Sequence, residues 1–468
     1  MAVYASKPFD ERIGNLFDEL SNKLSPMDKY AMSGRCEPET IQMENFLRAN
    51  FGFENISNEY IVQGVKSFRI SPFNRNIPTI QFPNNNSEQK FEMTIDELIQ
   101  WQKSYTVYAL NDPDLAIDSS FLQQALQGRS QSGPEAFRMK FVCRISTCPI
   151  LMEFDGKVIH RTLDEQWPHR IKLVSVTGID FAGRIHDIND IFTYISNWPD
   201  VYYLDPSTNL PIVPNGRDFM AKKNPLVQLN DDRLWNDLVR MAYVRLFACN
   251  QENIEIVVET GIGLGVFAGK QIGIDQQIRT RSAQAMKYVL ENYTSNLTNI
   301  RAIVFALPIF ERDRTTSTFN SFTQVFNEGY NGRIPILILD QDMHRLTVHI
   351  AKAGFRVSEL NPADSHGVFG EYWQNFGPAV EEKLALTTLG LIIQHHIFNV
   401  DNVLNTNNYK FVDLPKTNNN NASSVTILMP NDNSELVLQR STHQTFFSVV
   451  SRLIPKFIYD IFNRIFRH

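Results

Sequence analysis

The sequence predicts an α/β protein with a mixed, mostly parallel sheet between helices. Short apolar runs of strand length alternate with stretches of helical spacing from about residue 254 to residue 397. Two of these runs, Ile303–Leu307 and Ile336–Leu339, are wholly apolar, which is typical of central strands covered on both faces. Such alternation favours parallel pairing, because each helix returns the chain to the same end of the sheet.

The first 135 residues have a different pattern, which predicts a helical N-terminal region. Apolar residues recur at three- and four-residue spacing over 9–24 and again over 93–109. We assign 136–444 to an α/β domain with insertions and expect a helix at about 232–247 to lead into its first parallel strand.

The pattern of residues 445–468 predicts an amphipathic C-terminal helix. Its apolar side chains recur at helical spacing, with Arg452, Lys456 and Arg467 on the opposite face and a kink expected at Pro455. A basic amphipathic helix can lie on a membrane or bind a partner groove. Packing on its own domain is the alternative interpretation.

Composition and charge argue against nucleic acid as a partner. With 43% hydrophobic and 21% charged residues among 468, the chain resembles a globular protein large enough for two or three domains. The formal net charge of −6 and isoelectric point near 6.0 provide no general attraction to nucleic acid or to an anionic membrane. Any such contact therefore requires a local patch.

Cysteine usage and the N-terminus bear on the compartment. The four cysteines include no Cys-x-x-Cys pair and no histidine at zinc-finger spacing, so we expect a reducing compartment and no metal site. The chain does not begin with a charged segment followed by an apolar core, so we expect no cleaved secretory signal. A spanning helix is not expected either, because no uninterrupted apolar run of about 18 residues occurs.

A predicted strand is followed by Glu259 and Thr260, and glycines alternate directly after these two residues. Gly261, Gly263 and Gly265 would let backbone N–H groups approach a phosphate, and the following helix adds a favourable dipole. The alternation differs from the Gly-x-Gly-x-x-Gly pattern of dinucleotide-binding folds, and no Walker lysine follows. The sequence predicts an anion-binding turn, although a purely structural glycine turn fits the same residues.

Two further polar turns follow predicted strands. Asp340 and Asp342 follow the run Ile336–Leu339, and Asn361 and Asp364 lie at the end of a later strand. Open α/β sheets bind ligands at the carboxyl ends of their strands, so we expect both turns to contribute to one site. Asp342 fits equally well as the N-cap of the next helix.

Together these turns resemble a macrodomain, the ADP-ribose-binding fold, with its parts in circularly permuted order. In that family an aspartate holds adenine, an Asn-Ala-Ala-Asn-like loop lies at the distal ribose, and glycine-containing loops lie at the phosphates. The resemblance covers roughly 254–399 and implies that Asp342 binds adenine and Asn361 the ribose. Gly377 would lie in the glycine-containing loop before a helix, and the turn that begins at Glu259 and Thr260 would form the phosphate loop.

The resemblance extends to the arginine-specific ADP-ribosylhydrolase macrodomains of bacterial effectors. Their acidic residues imply catalytic roles for Asp364, Glu371 and Glu381, while the adjacent Glu381 and Glu382 resemble the paired glutamates of poly(ADP-ribose) glycohydrolases. In glycosidic hydrolysis one carboxylate activates water or stabilises positive charge, and another polarises the leaving group. Asp364 is the candidate for the first role. Acids are also favoured in the first turn of any helix, so a structural role stays open for the glutamate pair.

Aromatic residues near these turns are candidates for stacking on adenine or covering the ribose. Phe267 and Phe369 are the leading candidates, with Tyr372, Trp373 and Phe376 close to the latter in sequence. Each of them fits core packing equally well, because most aromatic side chains fill cores.

We therefore predict a hydrolase that removes ADP-ribose from a modified protein side chain. Arginine as the linkage, and secretion as a bacterial effector that acts in the host cytoplasm, follow from the resemblance alone. The predicted partner is the ADP-ribosylated protein; ADP-ribose is the ligand or product, and no cofactor is required. Two alternatives are a non-catalytic ADP-ribose-binding module and an interaction protein that contacts a membrane or partner through its C-terminal helix.

Overall fold

A largely parallel sheet flanked by helices forms the centre of the molecule. The computed structural model describes residues 2–4, 10–24, 79–82, 91–94, 106–126, 133–149, 170–185, 188–216, 218–309, 317–363 and 406–415. Its strands are β1 (Ala2–Tyr4), β2 (Thr79–Phe82), β3 (Phe91–Thr94), β4 (Thr106–Leu110), β5 (Val142–Pro149), β6 (Arg170–Thr177), β7 (Ile256–Glu259), β8 (Ala302–Ala306), β9 (Ile336–Leu339), β10 (Val357–Ala363) and β11 (Tyr409–Val412).

The helices connect these strands in alternation over the second half of the described chain. They are α1 (Glu11–Asn22), α2 (Ser119–Leu126), α3 (Gly133–Met139), α4 (Ile188–Tyr194), α5 (Trp198–Val201), α6 (Asp231–Gln251), α7 (Asp275–Asn292), α8 (Thr318–Asn327) and α9 (Met343–Lys352). Helix α6 packs on β4, β5 and β6, α7 packs against α6 and α8, and α9 packs on β7, β8 and β10.

Among the described residues, nine strands form one sheet in the order β1-β9-β8-β7-β10-β6-β5-β4-β11, and β2 pairs separately with β3. The five strands from β9 to β6 are mutually parallel, whereas β1 and β5 run antiparallel to their neighbours. All residues of β7, β8 and β9 are buried, which requires cover on both faces. The predicted mixed, mostly parallel α/β class is therefore confirmed.

The N-terminal region contributes strands as well as helices. The helix expected over 9–24 is confirmed as α1, but the helix expected over 93–109 is wrong, because β3 and β4 occupy its two ends. Val107 and Tyr108 favour strands, and β4 is buried between β5 and β11. Tertiary pairing thus decided a segment whose apolar spacing fitted a helix.

Several predicted segments lie outside the described residues. They include the C-terminal helix over 445–468 and the chain from 364 to 405, which carries the predicted catalytic residues. Among the helices that are described, none is long and apolar enough to span a lipid bilayer.

Candidate functional site

The carboxyl ends of β9, β8, β7, β10 and β6 lie in this order along one edge of the sheet. The ends of β7 and β10 lie side by side at this edge, because these two strands are neighbours in the sheet. Open α/β sheets bind ligands outside the carboxyl ends of their strands. The candidate site therefore lies where the turn after β7 meets the end of β10.

The glycine turn after β7, residues 260–269, is packed tightly against the turn after β6. Gly263 has a φ of +68°, and a Cβ there would stand 2.9 Å from the carbonyl oxygen of Ile179. A Cβ on Gly178 would stand 2.8 Å from the backbone nitrogen of Gly263. Both positions require glycine for this close approach. By contrast, no atom lies within 4 Å of where a Cβ on Gly265 would be.

Hydrogen bonds fix the far side of the glycine turn. The backbone N–H of Phe181 donates to the carbonyl of Phe267 at 2.8 Å, and the Gln271 side chain donates to the carbonyl of Phe181 at the same distance. Arg279 of α7 donates through Nε to the carbonyl of Leu264 at 3.1 Å. The backbone of the turn is therefore positioned from both β6 and α7.

Three consecutive N–H groups of the glycine turn are left available. Within the described part of the chain, the backbone nitrogens of Gly265, Val266 and Phe267 donate to no acceptor. Gly265 and Val266 are exposed, and the Val266 side chain is 70% accessible. Successive backbone N–H groups at an exposed turn form an anion-binding concavity. The glycine pattern predicted an anion-binding turn here, and that binding stays a prediction. Phe267, a predicted ligand residue, is one of the three donors.

The Arg184 guanidinium lies over the Phe267 ring, with 4.7 Å between the guanidinium carbon and the ring centroid. Its side chain is 14% exposed, and its Nε is 4.0 Å from carboxylate oxygens of Asp180 and Asp218. A cation therefore lies on the ring of Phe267, whose N–H is one of the available donors.

Glu259, which ends β7, faces the protein interior. Its carboxylate accepts from Arg245 Nε of α6 at 2.7 Å, and the residue is only 1% exposed. Burial raises the pKa of the Glu259 carboxyl, although the charge and hydrogen bond of Arg245 act in the opposite direction. Thr260, the next residue, donates its hydroxyl to the carbonyl of Ala306 at 3.1 Å. The side chains of both predicted ligand residues thus hold the base of the turn.

A cavity of about 50 Å³ lies beneath the glycine turn, between α6, α7 and the end of β7. Arg245, Glu259 and Ser282 line it, and neither Glu259 Oε2 nor Ser282 Oγ has a hydrogen-bond partner within the described structure. A cavity of this size has room for at most about three water molecules. It is too small for a nucleotide, so the candidate ligand site is the edge of the sheet outside it.

The aspartate turn after β9, residues 340–342, is occupied by structural hydrogen bonds. Asp340 accepts from the backbone N–H of Ile309 at 2.8 Å, which ties this turn to the end of β8. Asp342 caps α9 by accepting from the backbone N–H of Arg345 at 2.8 Å. The N-cap interpretation of Asp342 is therefore confirmed, and an adenine contact stays a prediction.

The other predicted site residues lie in the last part of β10 or follow it in the sequence. Asn361 is the third residue from the end of β10, and its backbone pairs with Ser175 of β6. The remaining candidates lie outside the described residues: Asp364, Glu371, Glu381 and Glu382 for catalysis, and Phe369 and Gly377 for binding.

Sequence reasoning missed Arg184, Gly178 and Arg245. The Thr177-Gly178 step after the β-branched and apolar run over 171–176 was a signal for a strand and a tight turn. The pairing of Arg245 with Glu259 had no sequence signal, since it links a helix to the following strand across 14 positions. Its discovery required the fold.

No group of three or more His, Cys, Asp or Glu residues suited to a metal ion occurs within the ranges that the structure covers. No protein-family model matches the chain, and no curated protein sequence matches it significantly.

Proposed function

We propose that the protein binds ADP-ribose along the carboxyl edge of its sheet, as a macrodomain does, and hydrolyses the bond between ADP-ribose and a protein side chain. The order of the turns supports this most directly. Along the edge, the aspartate turn after β9 comes first, the glycine turn after β7 follows, and the end of β10 with Asn361 comes next. ADP-ribose has its adenine, diphosphate and distal ribose in that same order.

The spacing of the strand ends suits a ligand that lies across them. The ends of β9 and β10 are three interstrand spacings apart, or roughly 14 Å at about 4.8 Å each. Between them, the exposed N–H groups of Gly265, Val266 and Phe267 are available to an anion. A diphosphate at the centre of the ligand would meet these donors.

Hydrolysis requires a carboxylate at the anomeric carbon of the distal ribose. Asp364 directly follows Ala363, the last residue of β10, and is the acid nearest in sequence to that strand end. In the proposed step, Asp364 accepts a proton from the attacking water as the new C–O bond forms. The glycosidic bond to the side-chain nitrogen breaks, and that nitrogen takes up a proton. Glu371, Glu381 and Glu382 are the candidates for holding the ribose or the leaving group.

One observation favours a second candidate, a non-catalytic ADP-ribose-binding module. Within the described part of the edge, Glu259, Asp340 and Asp342 each already hold an arginine or a backbone N–H. These acids build the site, and turnover would depend on the segment 364–382. Arginine linkage and action as a secreted effector likewise rest on the resemblance.

Calorimetric titration with ADP-ribose, followed by incubation with an arginine-ADP-ribosylated peptide, tests the proposal. We expect micromolar binding and release of ADP-ribose, and Asp364→Asn should retain the binding and lose the release. Asp413→Asn is the matched control, because Asp413 also follows a parallel strand, β11, where Asn111 donates to it at 2.7 Å. Binding without release by the native chain would favour the binding module. Absence of ADP-ribose binding would refute both candidates.

A further inference from the structure

The Arg184 side chain is largely buried and yet makes no hydrogen bond to any residue that the structure describes. Its Nε is shielded from solvent and has no acceptor. The two nearest carboxylates, on Asp180 and Asp218, are 4.0 Å away, beyond hydrogen-bond distance. Buried polar groups are almost always hydrogen bonded, so an exception requires an explanation.

Other buried arginines of this protein show what a structural role looks like. Arg233 contacts Asp237 at 2.6 Å through Nε, and Arg245 contacts Glu259 at 2.7 Å. Arg279 donates to a backbone carbonyl at 3.1 Å. Each of these guanidinium groups is held by a close acceptor, whereas Arg184 is only placed between two distant ones.

The position of Arg184 provides the explanation. Its guanidinium is stacked on Phe267, whose own N–H is one of the three available donors of the glycine turn. The carbonyl of Phe267 is fixed by the N–H of Phe181 at 2.8 Å, so the two loops hold the stack in place. A guanidinium lying on an aromatic ring still has N–H groups at its edge, in a fork that matches phosphate oxygens.

We propose that Arg184 is a phosphate-binding residue, which completes an anion site with the N–H groups of Gly265, Val266 and Phe267. The ligand class is a diphosphate, and its identification as ADP-ribose rests on the proposed function. Asp180 and Asp218 hold the cation loosely enough for phosphate oxygens to become its closest acceptors. An ammonium in the same place would lack the planar fork, so lysine should substitute only in part.

Titration of the full-length chain with ADP-ribose, inorganic pyrophosphate and adenosine tests this assignment. We expect Arg184→Gln to weaken the binding of ADP-ribose and of pyrophosphate by about tenfold or more, because a charge-assisted hydrogen bond is lost. Adenosine affinity should be unchanged, and Arg184→Lys should give an intermediate loss for the two phosphate ligands. The salt dependence of pyrophosphate binding should also become shallower in Arg184→Gln.

Arg138→Gln is the matched control. Arg138 also lies over a phenylalanine, with its guanidinium carbon 4.4 Å from the Phe121 centroid, but it donates to backbone carbonyls and is remote in sequence from the glycine turn. This variant should bind all three ligands as the native chain does.

The possible results separate the two proposals. Equal ADP-ribose affinity in Arg184→Gln and the native chain would overturn the role of Arg184 and leave the proposed function standing. Pyrophosphate binding that depends on Arg184, with no binding of ADP-ribose, would support the anion site and refute the proposed function. If Arg184→Gln lowered the affinity for all three ligands equally, adenosine included, Arg184 would only maintain the loop. If the native chain bound none of the three ligands, both proposals would be overturned.

Discussion

The glycine turn after β7 and the aspartate turn after β9 follow equally buried strands at the same edge of the sheet, but they use their polar groups differently. In the aspartate turn, Asp340 and Asp342 already accept backbone N–H groups at 2.8 Å. In the glycine turn, the N–H groups of Gly265, Val266 and Phe267 and the Arg184 guanidinium have no acceptor within the described residues.

This difference separates groups that build the fold from groups that remain for a ligand. A carboxylate that caps a helix contributes to stability whether or not a ligand is present. Donors left without acceptors at the surface add little to stability and are available to an anion. Variants in the two turns should therefore differ in whether stability or binding changes more.

The largest loss of stability is expected from Glu259→Ala, at the base of the glycine turn. The variant leaves the Arg245 guanidinium buried without its partner, and breaking a buried ion pair in this way costs about 3–5 kcal/mol. Urea unfolding monitored by circular dichroism measures the difference. Glu19→Gln, which removes an exposed partner of Lys23, should change the free energy of unfolding by less than about 1 kcal/mol. A similar, small effect at both positions would contradict the anchoring role of Glu259.

Glu259→Gln sharpens the same test through its pH dependence. Burial raises the pKa of Glu259 in the folded state above its unfolded value of about 4.3, so the folded state binds this proton more tightly. The associated stability is present below the unfolded pKa and is lost as pH rises through the folded pKa. The native chain should therefore lose stability relative to Glu259→Gln as pH rises above about 4. A difference that increases with pH would show the opposite shift.

Gly263→Ala is expected to be the next most damaging change, and it should reduce both stability and binding. Its φ of +68° disfavours alanine, and the new Cβ would stand 2.9 Å from a backbone oxygen that cannot move alone. We expect a loss of about 2–3 kcal/mol and weaker ADP-ribose binding, measured by urea unfolding and calorimetry. Gly216→Ala isolates the backbone contribution, because Gly216 has a φ of +75° with open space around it. Equal losses at the two glycines would mean that the contact with Ile179 is unimportant.

Four of the five parallel strands, β7 to β10, were predictable because buried strands have a local signature. Ile336–Leu339 is a strand with the predicted bounds, and the predicted strands ending near Glu259 and Leu307 differ from β7 and β8 by one or two residues. The alternating glycines were also visible in the sequence. Their partner Gly178, in contrast, directly follows β6, a strand that sequence analysis did not identify, so the need for glycine at both positions was not predictable.

The chemistry around the glycine turn depends on contacts between distant parts of the chain. Arg184 reaches Phe267 across 83 positions, and neither residue type specifies the other. Likewise, Val107 and Tyr108 fit a helical spacing until β5 and β11 are known to pair with β4 on either side. Local pattern predicted the strands β7, β8, β9 and β10, whereas tertiary contacts determined the edges of the sheet and the cation of the candidate site.

The smallest expected effect comes from the aspartate turn, where two variants separate the cap from a ligand contact. Asp342→Ala removes the acceptor for the Arg345 N–H and should cost about 1 kcal/mol in urea unfolding. Asp342→Ser keeps an N-cap oxygen and should restore most of that stability. Because serine is shorter and uncharged, it should not restore a hydrogen bond to the adenine amino group if Asp342 makes one.

Whether Asp342 also contacts adenine is therefore decided by measuring binding, because stability reports only on the cap. If Asp342 contacts adenine, Asp342→Ser should lower the affinity for ADP-ribose and for adenosine alike and leave the affinity for pyrophosphate unchanged. Asn230→Ala is the control, because Asn230 caps α6 through the Arg233 N–H and lies away from this turn in the chain. Unchanged affinity in Asp342→Ser would assign Asp342 to the fold alone. Recognition would then rest on the glycine turn and the end of β10, since the aspartate turn would contribute only the cap of α9.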